Sequence, residues 1–314
     1  MNLMKWEKQG KIFTPNQNFG WINSHAQVPT AIFLENKNIL RVYFSTRSEP
    51  GTTNTTFLDL NANNLSEIIK INSTPILDNG RAGTFDEHGI MPASILKNNN
   101  EILLYYSGWQ RSVGVPYNNY TGLAISNDDG LTFKKHSEAP IIDRNSNELY
   151  SSTSPSVLFK NNKWHMWYCS GTNWHEIDGK LEHTYNIKYA TSDDGKNWNQ
   201  TGVVCIKQKN KFEAITRPSV IFLNDEYHMW FCYRGSVNFR DGNDSYRIGY
   251  AHSINGIDWE RNDELSGIDI SNEGWDSKMI AYPEVLKLRD EIYMFYNGNS
   301  FGEKGFGYAR LLNL

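Results

Sequence analysis

The chain has 314 residues, of which 39% are hydrophobic, 21% charged and 13% aromatic, and its formal net charge is -4. This composition is typical of a folded globular protein and excludes a disordered or collagen-like chain. A mildly acidic chain provides no broad basic surface, so we expect no nucleic-acid partner. The longest apolar runs have the length of strands, so we expect no membrane insertion.

The N-terminus and the cysteines indicate the compartment. The first residues, MNLMKWEKQGK, lack the apolar core and the cleavage site of a secretory signal, which predicts a cytoplasmic protein. The three cysteines, Cys169, Cys205 and Cys232, form no CxxC pair, and their odd number argues against a disulfide scaffold. We expect them to be reduced core residues.

One sequence unit recurs five times along the chain. Prolines mark it at intervals of 63 to 65 residues: Pro29, Pro92, Pro155, Pro218 and Pro283. Each proline begins a short apolar strand, and a second strand follows a polar turn, as in LRVYFS at 40–45 and YHMWFC at 227–232. In the three middle copies a third strand then ends in an Asp-Gly or Asn-Gly turn. Period-two patterning and these turns predict antiparallel hairpins, and we find no amphipathic helix.

A repeat of about 60 residues with about four antiparallel strands is typical of a propeller blade. We therefore predict an all-β fold, a five-bladed β-propeller that forms one domain over residues 1–314. The last repeat begins at Pro283 and has room for only three strands. Because residues 6–13 match a fourth strand at 198–205, we expect residues 5–13 to complete the fifth blade and remove an open sheet edge.

The strand order of a propeller predicts where a site lies. Loops that precede the first strands and loops that follow the second strands meet over the central channel. Counting back from the prolines in odd steps selects one face of an extended strand, although a bulge would break the count. One step back gives Val28, Met91, Ser154, Arg217 and Tyr282, and five steps back give Ser24, Glu87, Tyr150, Glu213 and Lys278.

Carboxylates in these loops suggest glycosidic chemistry. Such chemistry needs an acid that protonates the leaving oxygen and a base or nucleophile across the sugar ring. Glu87 and Glu213 are the first candidates for these roles, followed by Asp86 and Asp276. Each acid taken alone is better explained as a solvated loop residue, but their clustering at one channel mouth is not. The candidate substrate-binding residues are Arg217, Arg47, Arg234, Lys278, Tyr282, His25, His88, Trp109, Trp174 and Glu284.

The cations among these candidates predict the charge of the ligand. Arg47 and Arg234 occupy equivalent repeat positions, and Arg217 and Lys278 approach from the other loops. Guanidinium groups bind carboxylate or phosphate at two points, which predicts an acidic sugar or a phosphate co-substrate. Alternatively, these cations neutralise the acids beside them. The histidines show no HxxxH or HExxH spacing, so we predict no catalytic metal and no cofactor.

The segments PSVLFKNNKWHMWYCSGTNW, YRIGYAHSINGIDW and GWDSKMIAYPEV resemble the five-bladed propeller glycoside hydrolases of families 32, 43 and 68. Over residues 5–314 the chain resembles, more closely, an uncharacterised branch found with bacterial surface-polysaccharide genes. The family 43 resemblance implies a catalytic Asp before the first proline and an acidic Glu before the third. Those positions hold Val28 and 152–154, a Ser-Thr-Ser run, so the catalytic residues do not carry over.

Two further resemblances refine this picture. Mannoside phosphorylases share the fold and use basic residues for phosphate, which implies phosphorolysis as an alternative. The turn at 126–133 resembles the Asp-box of sialidases, which implies a structural role. We predict a glycoside hydrolase that acts on an acidic or amino sugar of a bacterial surface polysaccharide or its precursor. A noncatalytic carbohydrate-binding propeller and a glycoside phosphorylase are the alternatives.

Overall fold

A computed structural model describes residues 4–15, 21–48 and 51–313 of the chain. Strands dominate these ranges. They are β1 (Lys5–Phe13), β2 (Ser24–Leu34), β3 (Ile39–Ser48), β4 (Thr52–Asn61), β5 (Asn64–Ile71), β6 (Gly89–Asn98), β7 (Glu101–Arg111), β8 (Tyr117–Ser126), β9 (Lys134–Lys135), β10 (Ser152–Lys160), β11 (Lys163–Ile177), β12 (Lys180–Ser192), β13 (Asn199–Ile206), β14 (Ala214–Leu223), β15 (Glu226–Arg234), β16 (Arg247–Ser253), β17 (Glu260–Arg261), β18 (Ala281–Leu288), β19 (Glu291–Asn297) and β20 (Phe306–Asn313).

Helical structure is confined to short turns in these ranges. Two 3-10 turns lie at Glu35–Lys37 and Asp263–Ser266, and one helical turn, α1, lies at Asn299–Gly302. None of the helices that the structure describes is long and apolar enough to cross a membrane.

The described strands pair in five antiparallel groups of four. Groups one to four are β2–β5, β6–β9, β10–β13 and β14–β17, and group five contains β18, β19, β20 and β1. The N-terminal strand β1 pairs with the C-terminal strand β20. The first strands β2, β6, β10, β14 and β18 contact one another in turn, and β18 also contacts β2. The groups therefore surround a central axis as a ring.

Apolar clusters fill the spaces between neighbouring groups. Side chains alternate between the two faces of a strand, so the second strand of each group contributes to two clusters. In β11, Trp167 packs with group four, whereas Met166 and Tyr168 pack with group two. All three are fully buried. Each sheet is therefore covered on both faces, which explains the long aromatic runs in the second strands.

The turn after the third strand joins adjacent groups. In three groups a serine Oγ of this turn accepts a hydrogen bond from a glycine N–H. The carbonyl of the same glycine accepts a hydrogen bond from an aromatic side chain on the second strand of the preceding group. These contacts, each 2.7 Å, run from Tyr43 to Gly130, from Tyr105 to Gly195 and from Trp167 to Gly256. The turn at 126–133 thus holds neighbouring sheets together.

Every first strand has a register shift beside its proline. In four groups the residue before the proline has a left-handed φ: Val28 (50°), Ser154 (49°), Arg217 (55°) and Tyr282 (57°). A non-glycine residue in this region is strained by roughly 1–3 kcal/mol. Because a bulge changes the direction of the side chains that follow it, the odd-step count along the strand does not extend across it.

Arg217 fills the centre of the ring. Its guanidinium donates to the carbonyl oxygens of Ala93 and Pro29 (3.1 Å) and to Oγ1 of Thr30 (2.9 Å). The same group lies 3.1 Å from the carboxylate of Glu284, and only 1% of the Arg217 side chain is exposed. Burial raises the pKa of Glu284 to about 7, although Arg217 acts to lower it. One side chain thereby joins the first strands of four groups.

We expect Arg217→Met to destabilise the fold by about 3 kcal/mol or more, because Glu284 is left buried without its partner and the carbonyls lose a donor. Urea denaturation of wild type and variant measures this loss. Arg81→Met is the control, since the Arg81–Glu138 pair has 75% and 65% of its side chains exposed. Such a pair contributes about 0–1 kcal/mol. Equal losses in both variants would contradict a structural role for Arg217.

Candidate active site

A cleft of about 610 Å³ is lined by residues from all five groups. Both predicted loop sets contribute to it: the residues before the prolines and the residues after the second strands. In four groups the residue directly before the proline lines the cleft, namely Val28, Met91, Ser154 and Tyr282. The left-handed backbone at three of these positions helps to direct their side chains there.

The charge of the cleft is strongly asymmetric. Four arginines line it, Arg47 and Arg111 from groups one and two and Arg234 and Arg240 from group four. Among the described residues that line it, the only carboxylate is Glu182, which is 2.9 Å from Arg240. Because Glu182 is paired with Arg240, no carboxylate in the described lining is left to neutralise Arg47 and Arg234. The cleft is therefore cationic although the whole chain is mildly acidic.

Arg234 is the most deeply buried of these cations, with 5% of the residue exposed. It donates to the carbonyl oxygens of Gly235 (2.7 Å) and His183 (3.0 Å), and its guanidinium lies 3.7 Å from the Phe239 ring centre. Burial acts to lower the pKa of Arg234, but the neighbouring tyrosines, led by Tyr246, outweigh it and the pKa is raised. Within the described ranges no carboxylate pairs with this charged group. A buried charge without a counter-ion is costly, which favours an anionic ligand.

The other arginines are more accessible. Arg47 is exposed, and its side chain forms no ion pair within the described part of the chain. Arg111 donates to the carbonyl oxygen of Gly51 at 3.1 Å. Arg240 also packs against Phe239, and its guanidinium lies 4.2 Å from the ring centre. Three arginine side chains can thus approach a ligand from the rim while Arg234 forms the deeper contact.

Polar and aromatic groups complete the lining. The hydroxyls of Tyr117 and Tyr185 are 2.8 Å apart, and burial raises the pKa of both, so both are protonated at neutral pH. Trp109 lines the cleft and donates from Nε1 to Oγ1 of Thr53 at 2.7 Å. Oγ1 of Thr153 is buried and has no hydrogen-bond partner in the part of the chain that the structure describes. Such an atom is available to a bound hydroxyl group.

Two loops from groups four and five are joined beside the cleft. The carboxylate of Asp241 accepts hydrogen bonds from the backbone N–H (2.7 Å) and the hydroxyl of Ser300. The rings of Phe239 and Phe301, which both line the cleft, are 6.2 Å apart. Asp241 and Ser300 both have left-handed φ angles. We call this contact the Asp241–Ser300 clasp, and it holds Phe239 and Phe301 against each other.

The four predicted catalytic carboxylates do not meet at the cleft, which corrects the expectation from the sequence. Asp86 and Asp276 are buried within their own groups. Each accepts a hydrogen bond from a second-strand tyrosine and pairs with a fourth-strand lysine. The contacts are Asp86 with Tyr106 (2.9 Å) and Lys135 (2.7 Å), and Asp276 with Tyr296 (3.0 Å) and Lys8 (2.7 Å). These carboxylates join strands within a sheet.

Glu213 and Glu87 also have partners outside the cleft. Glu213 accepts two hydrogen bonds from Arg261, at 3.0 and 2.8 Å, and one from the Lys209 N–H. Glu87 accepts a hydrogen bond from the Gly83 N–H at 2.7 Å. None of these residues lines the cleft. Both glutamates precede their first strands, which begin at Gly89 and Ala214, whereas the residues directly before the prolines lie within the strands.

The predicted substrate-binding residues divide into two sets. Arg47, Arg234, Trp109 and Tyr282 line the cleft. The others lie outside its lining. Arg217 and Glu284 pair at the centre of the ring, so the predicted contact between Arg217 and a substrate anion is replaced by contacts within the protein.

The remaining four candidates have local partners. His25 is hydrogen-bonded to Ser24 at 2.8 Å, and burial lowers its pKa to about 4. His88 lies 3.3 Å from Glu87. Trp174 stacks on His183 with ring centres 4.1 Å apart, and Lys278 is exposed. None of these four lines the cleft.

The sequence analysis missed Glu182, Arg111 and Arg240. Arg111 is the last residue of β7 and Arg240 follows β15, and both belong to segments that were expected to reach the channel, so their position in the repeat was a usable signal. Glu182 has no such signal, because it lies in β12, a third strand. β11 and β12 continue as a long hairpin with its turn between Ile177 and Lys180, and this extension places Glu182 at the cleft.

Metal ligands are not clustered in the part of the chain that the structure describes. There, no group of three or more His, Cys, Asp or Glu side chains is arranged to hold a metal ion. The three cysteines are buried and free, as expected for core residues. Burial raises the pKa of each thiol to about 12.

Comparison with known proteins identifies the family. Residues 80–273, more than half of the chain, match the model of the glycosyl hydrolases family 32 N-terminal domain. The chain belongs to this family. Two uncharacterized proteins from Mycobacterium tuberculosis, strains CDC 1551 and H37Rv, are each 36% identical to this family 32 chain, over 99% of it and 100% of their own length.

Solved structures share the fold of this family 32 chain at low sequence identity. A glycoside hydrolase has a TM-score of 0.76 and 16% identity, over 98% of this chain and 92% of its own. A structure reported for the GH130 family of mannoside phosphorylases has a TM-score of 0.73 and 15% identity, over 98% and 94%. A thermostable family-43 glycoside hydrolase has a TM-score of 0.66 and 18% identity, over 95% and 91%. The protein is a glycoside hydrolase-like enzyme with the propeller glycosidase fold.

The Asp241–Ser300 clasp can be tested without a ligand. Asp241→Asn keeps a residue that tolerates the left-handed backbone but removes the charge, and charged hydrogen bonds are about twice as strong as neutral ones. We expect amide hydrogen exchange of 236–245 and 298–303 to accelerate about fivefold to tenfold, as measured by mass spectrometry. Asp193→Asn, in an exposed pair with Lys163, is the control. Unchanged exchange in both segments would rule out the clasp as a constraint.

Proposed function

We propose that the cleft is the active site of a glycan-active enzyme whose substrate is an acidic sugar of a bacterial surface polysaccharide or its cytoplasmic precursor. The five strand groups would then be the blades of one closed propeller over residues 1–314. Of the acidic and amino sugars considered from the sequence, the cationic cleft favours the acidic ones. The family supports carbohydrate as the substrate class.

The observation that carries this proposal is the environment of Arg234. This guanidinium is buried, lines the cleft and has no carboxylate partner among the described residues. A sugar carboxylate or phosphate provides the missing charge with two acceptor oxygens. The aromatic side chains of Trp109 and Tyr282, on the same cleft, supply apolar faces that a sugar ring can contact.

Glu182 is the residue to which we assign proton transfer. Only 10% of its side chain is exposed, and its position beside Arg240 fixes the carboxylate in the cleft wall. In its protonated form this carboxyl group can give its proton to the glycosidic oxygen as the bond to the anomeric carbon breaks, and the carboxylate that remains pairs with Arg240. The tyrosines near Arg234 are protonated, so they donate hydrogen bonds and do not act as bases.

We expect the wild-type protein to bind D-glucuronate at least tenfold more tightly than D-glucose, as measured by calorimetry at low and high salt. Arg234→Met removes a buried charged contact, which typically costs about 2–5 kcal/mol, so this preference disappears. Arg310→Met, an exposed cation outside the cleft, is the matched control. Equal affinity of the wild type for both sugars would contradict the acidic-sugar proposal.

Turnover tests the role of Glu182 separately. Glu182→Gln should abolish hydrolysis of the methyl glycosides of glucuronic, galacturonic or N-acetylneuraminic acid, whose leaving oxygen needs a proton, while retaining their binding. Retained turnover would remove Glu182 from the chemistry. Binding of an acidic sugar without turnover of any glycoside by the wild type would favour the noncatalytic carbohydrate-binding alternative.

Phosphorolysis is the second candidate, and the charge of the lining favours it. Two-carboxylate mechanisms place a second carboxyl group roughly 5–9.5 Å from the first, and Glu182 is the only carboxylate among the described residues that line the cleft. With inorganic phosphate as nucleophile one carboxyl group suffices. A phosphate oxygen bonds to the anomeric carbon, the glycosidic bond breaks, and Glu182 protonates the leaving oxygen. The products are a sugar 1-phosphate and the shortened glycan.

Product analysis separates the two reactions. Phosphorolysis predicts a sugar 1-phosphate signal in ³¹P NMR and a rate that rises with phosphate concentration. Hydrolysis predicts the free sugar and no phosphate ester at any phosphate concentration. Glu182→Gln should stop both reactions, so it serves as the control for contaminating phosphatase or glycosidase activity.

A further inference from the structure

A second groove, of about 450 Å³, lies next to the cleft. Its walls are the loop 112–116, the hairpin residues 179–182 and Arg240. Aliphatic side chains contribute much of the lining: Val113, Val115, Pro116 and Leu181. Val113 is completely exposed at this position.

The groove and the cleft share the Glu182–Arg240 ion pair. Both residues line both spaces, so the pair marks the place where the two spaces meet. The remainder of the groove belongs to group two and to the hairpin between β11 and β12, and none of its other residues lines the cleft. A ligand that contacts Glu182 can therefore extend from the cationic cleft into the groove.

The lining of the groove differs from that of the cleft. The cleft contains four arginines and several aromatic rings, whereas the groove contains no aromatic side chain. Its two cations are Lys180 and the shared Arg240, and Arg240 is already paired with Glu182. Aliphatic walls without aromatic faces suit an alkyl or aryl group better than the polar edge of a sugar.

We propose that this groove binds an apolar aglycone, so that of the two substrates in the proposed function the precursor is the one cleaved, as an acidic sugar joined to an alkyl or aryl group. The inference rests on the proposed function, because it places the sugar in the cleft and the scissile oxygen at Glu182. The leaving group then occupies the groove. The acidic part of the substrate and its apolar part are thereby recognised on opposite sides of one ion pair.

Paired glucuronides test this inference. We expect benzyl β-D-glucuronide, whose aryl group is carried on a leaving oxygen that needs a proton, to bind about tenfold more tightly than methyl β-D-glucuronide, as measured by calorimetry. The measurement uses wild type and Glu182→Gln, because the variant prevents turnover. Val113→Asn and Leu181→Asn replace aliphatic groups with neutral polar ones. Each should reduce the preference for the aryl glycoside by about threefold or more and leave the methyl glycoside unchanged. Ile254→Asn alters an exposed aliphatic residue outside both spaces and should have no effect.

Each outcome decides the proposal. Equal affinity for the two glucuronides, or an aryl preference that Val113→Asn and Leu181→Asn leave intact, would overturn the groove as an aglycone site. The same holds if free glucuronate binds but neither glycoside does. If glucuronate itself fails to bind, the proposed function fails, and this inference fails with it.

Discussion

The contact on which the rest of the structure depends is that of Arg217 with four first strands at the centre of the ring. A guanidinium has donors in several directions, so one side chain can satisfy carbonyl groups of Pro29 and Ala93 while it faces Glu284. The adjacent residue, Thr216, lines the cleft. Thr216 in the cleft wall is thus bonded directly to Arg217, which holds the ring together. The spacing of the cleft walls therefore depends on the position of Arg217.

The cationic character of the cleft follows from where the acids are used. In groups two and five, a buried aspartate near the start of the group accepts a tyrosine hydroxyl and pairs with a lysine of the fourth strand. Group four replaces this arrangement with Glu213 and Arg261. These carboxylates are paired with cations within the sheets and do not line the cleft. Among the described residues, no carboxylate pairs with Arg234, so its charge remains available to a ligand.

The fold could be predicted because one sequence pattern repeats along the chain. The site was harder to predict because some of its residues depart from that pattern. The prolines, the second strands and the pairing of β1 with β20 all follow a pattern that recurs along the chain. The choice of Glu87 and Glu213 assumed that the first strand extends back to them, but the strands begin only at Gly89 and Ala214. Position in the repeat identified Arg47 and Arg234 correctly as cleft residues. Position in the repeat could not show that Glu213 is paired with Arg261 outside the cleft. Nor could it show that Glu182 lines the cleft, because this depends on the unusual length of the hairpin between β11 and β12.

The backbone strain at the cleft has an identifiable support. Val28 is β-branched and left-handed, the least favourable combination among the residues before the prolines. Its N–H donates to Oδ1 of Asn297 at 2.8 Å, and Nδ2 of the same asparagine donates to the carbonyl oxygens of Ala26 and Gly305. Asn297 is fully buried, so these bonds are protected from water. Strain that the surrounding structure maintains in this way is typical of functional sites. Here it places Val28 in the cleft wall at the junction of groups one and five, where a relaxed strand would direct the chain elsewhere.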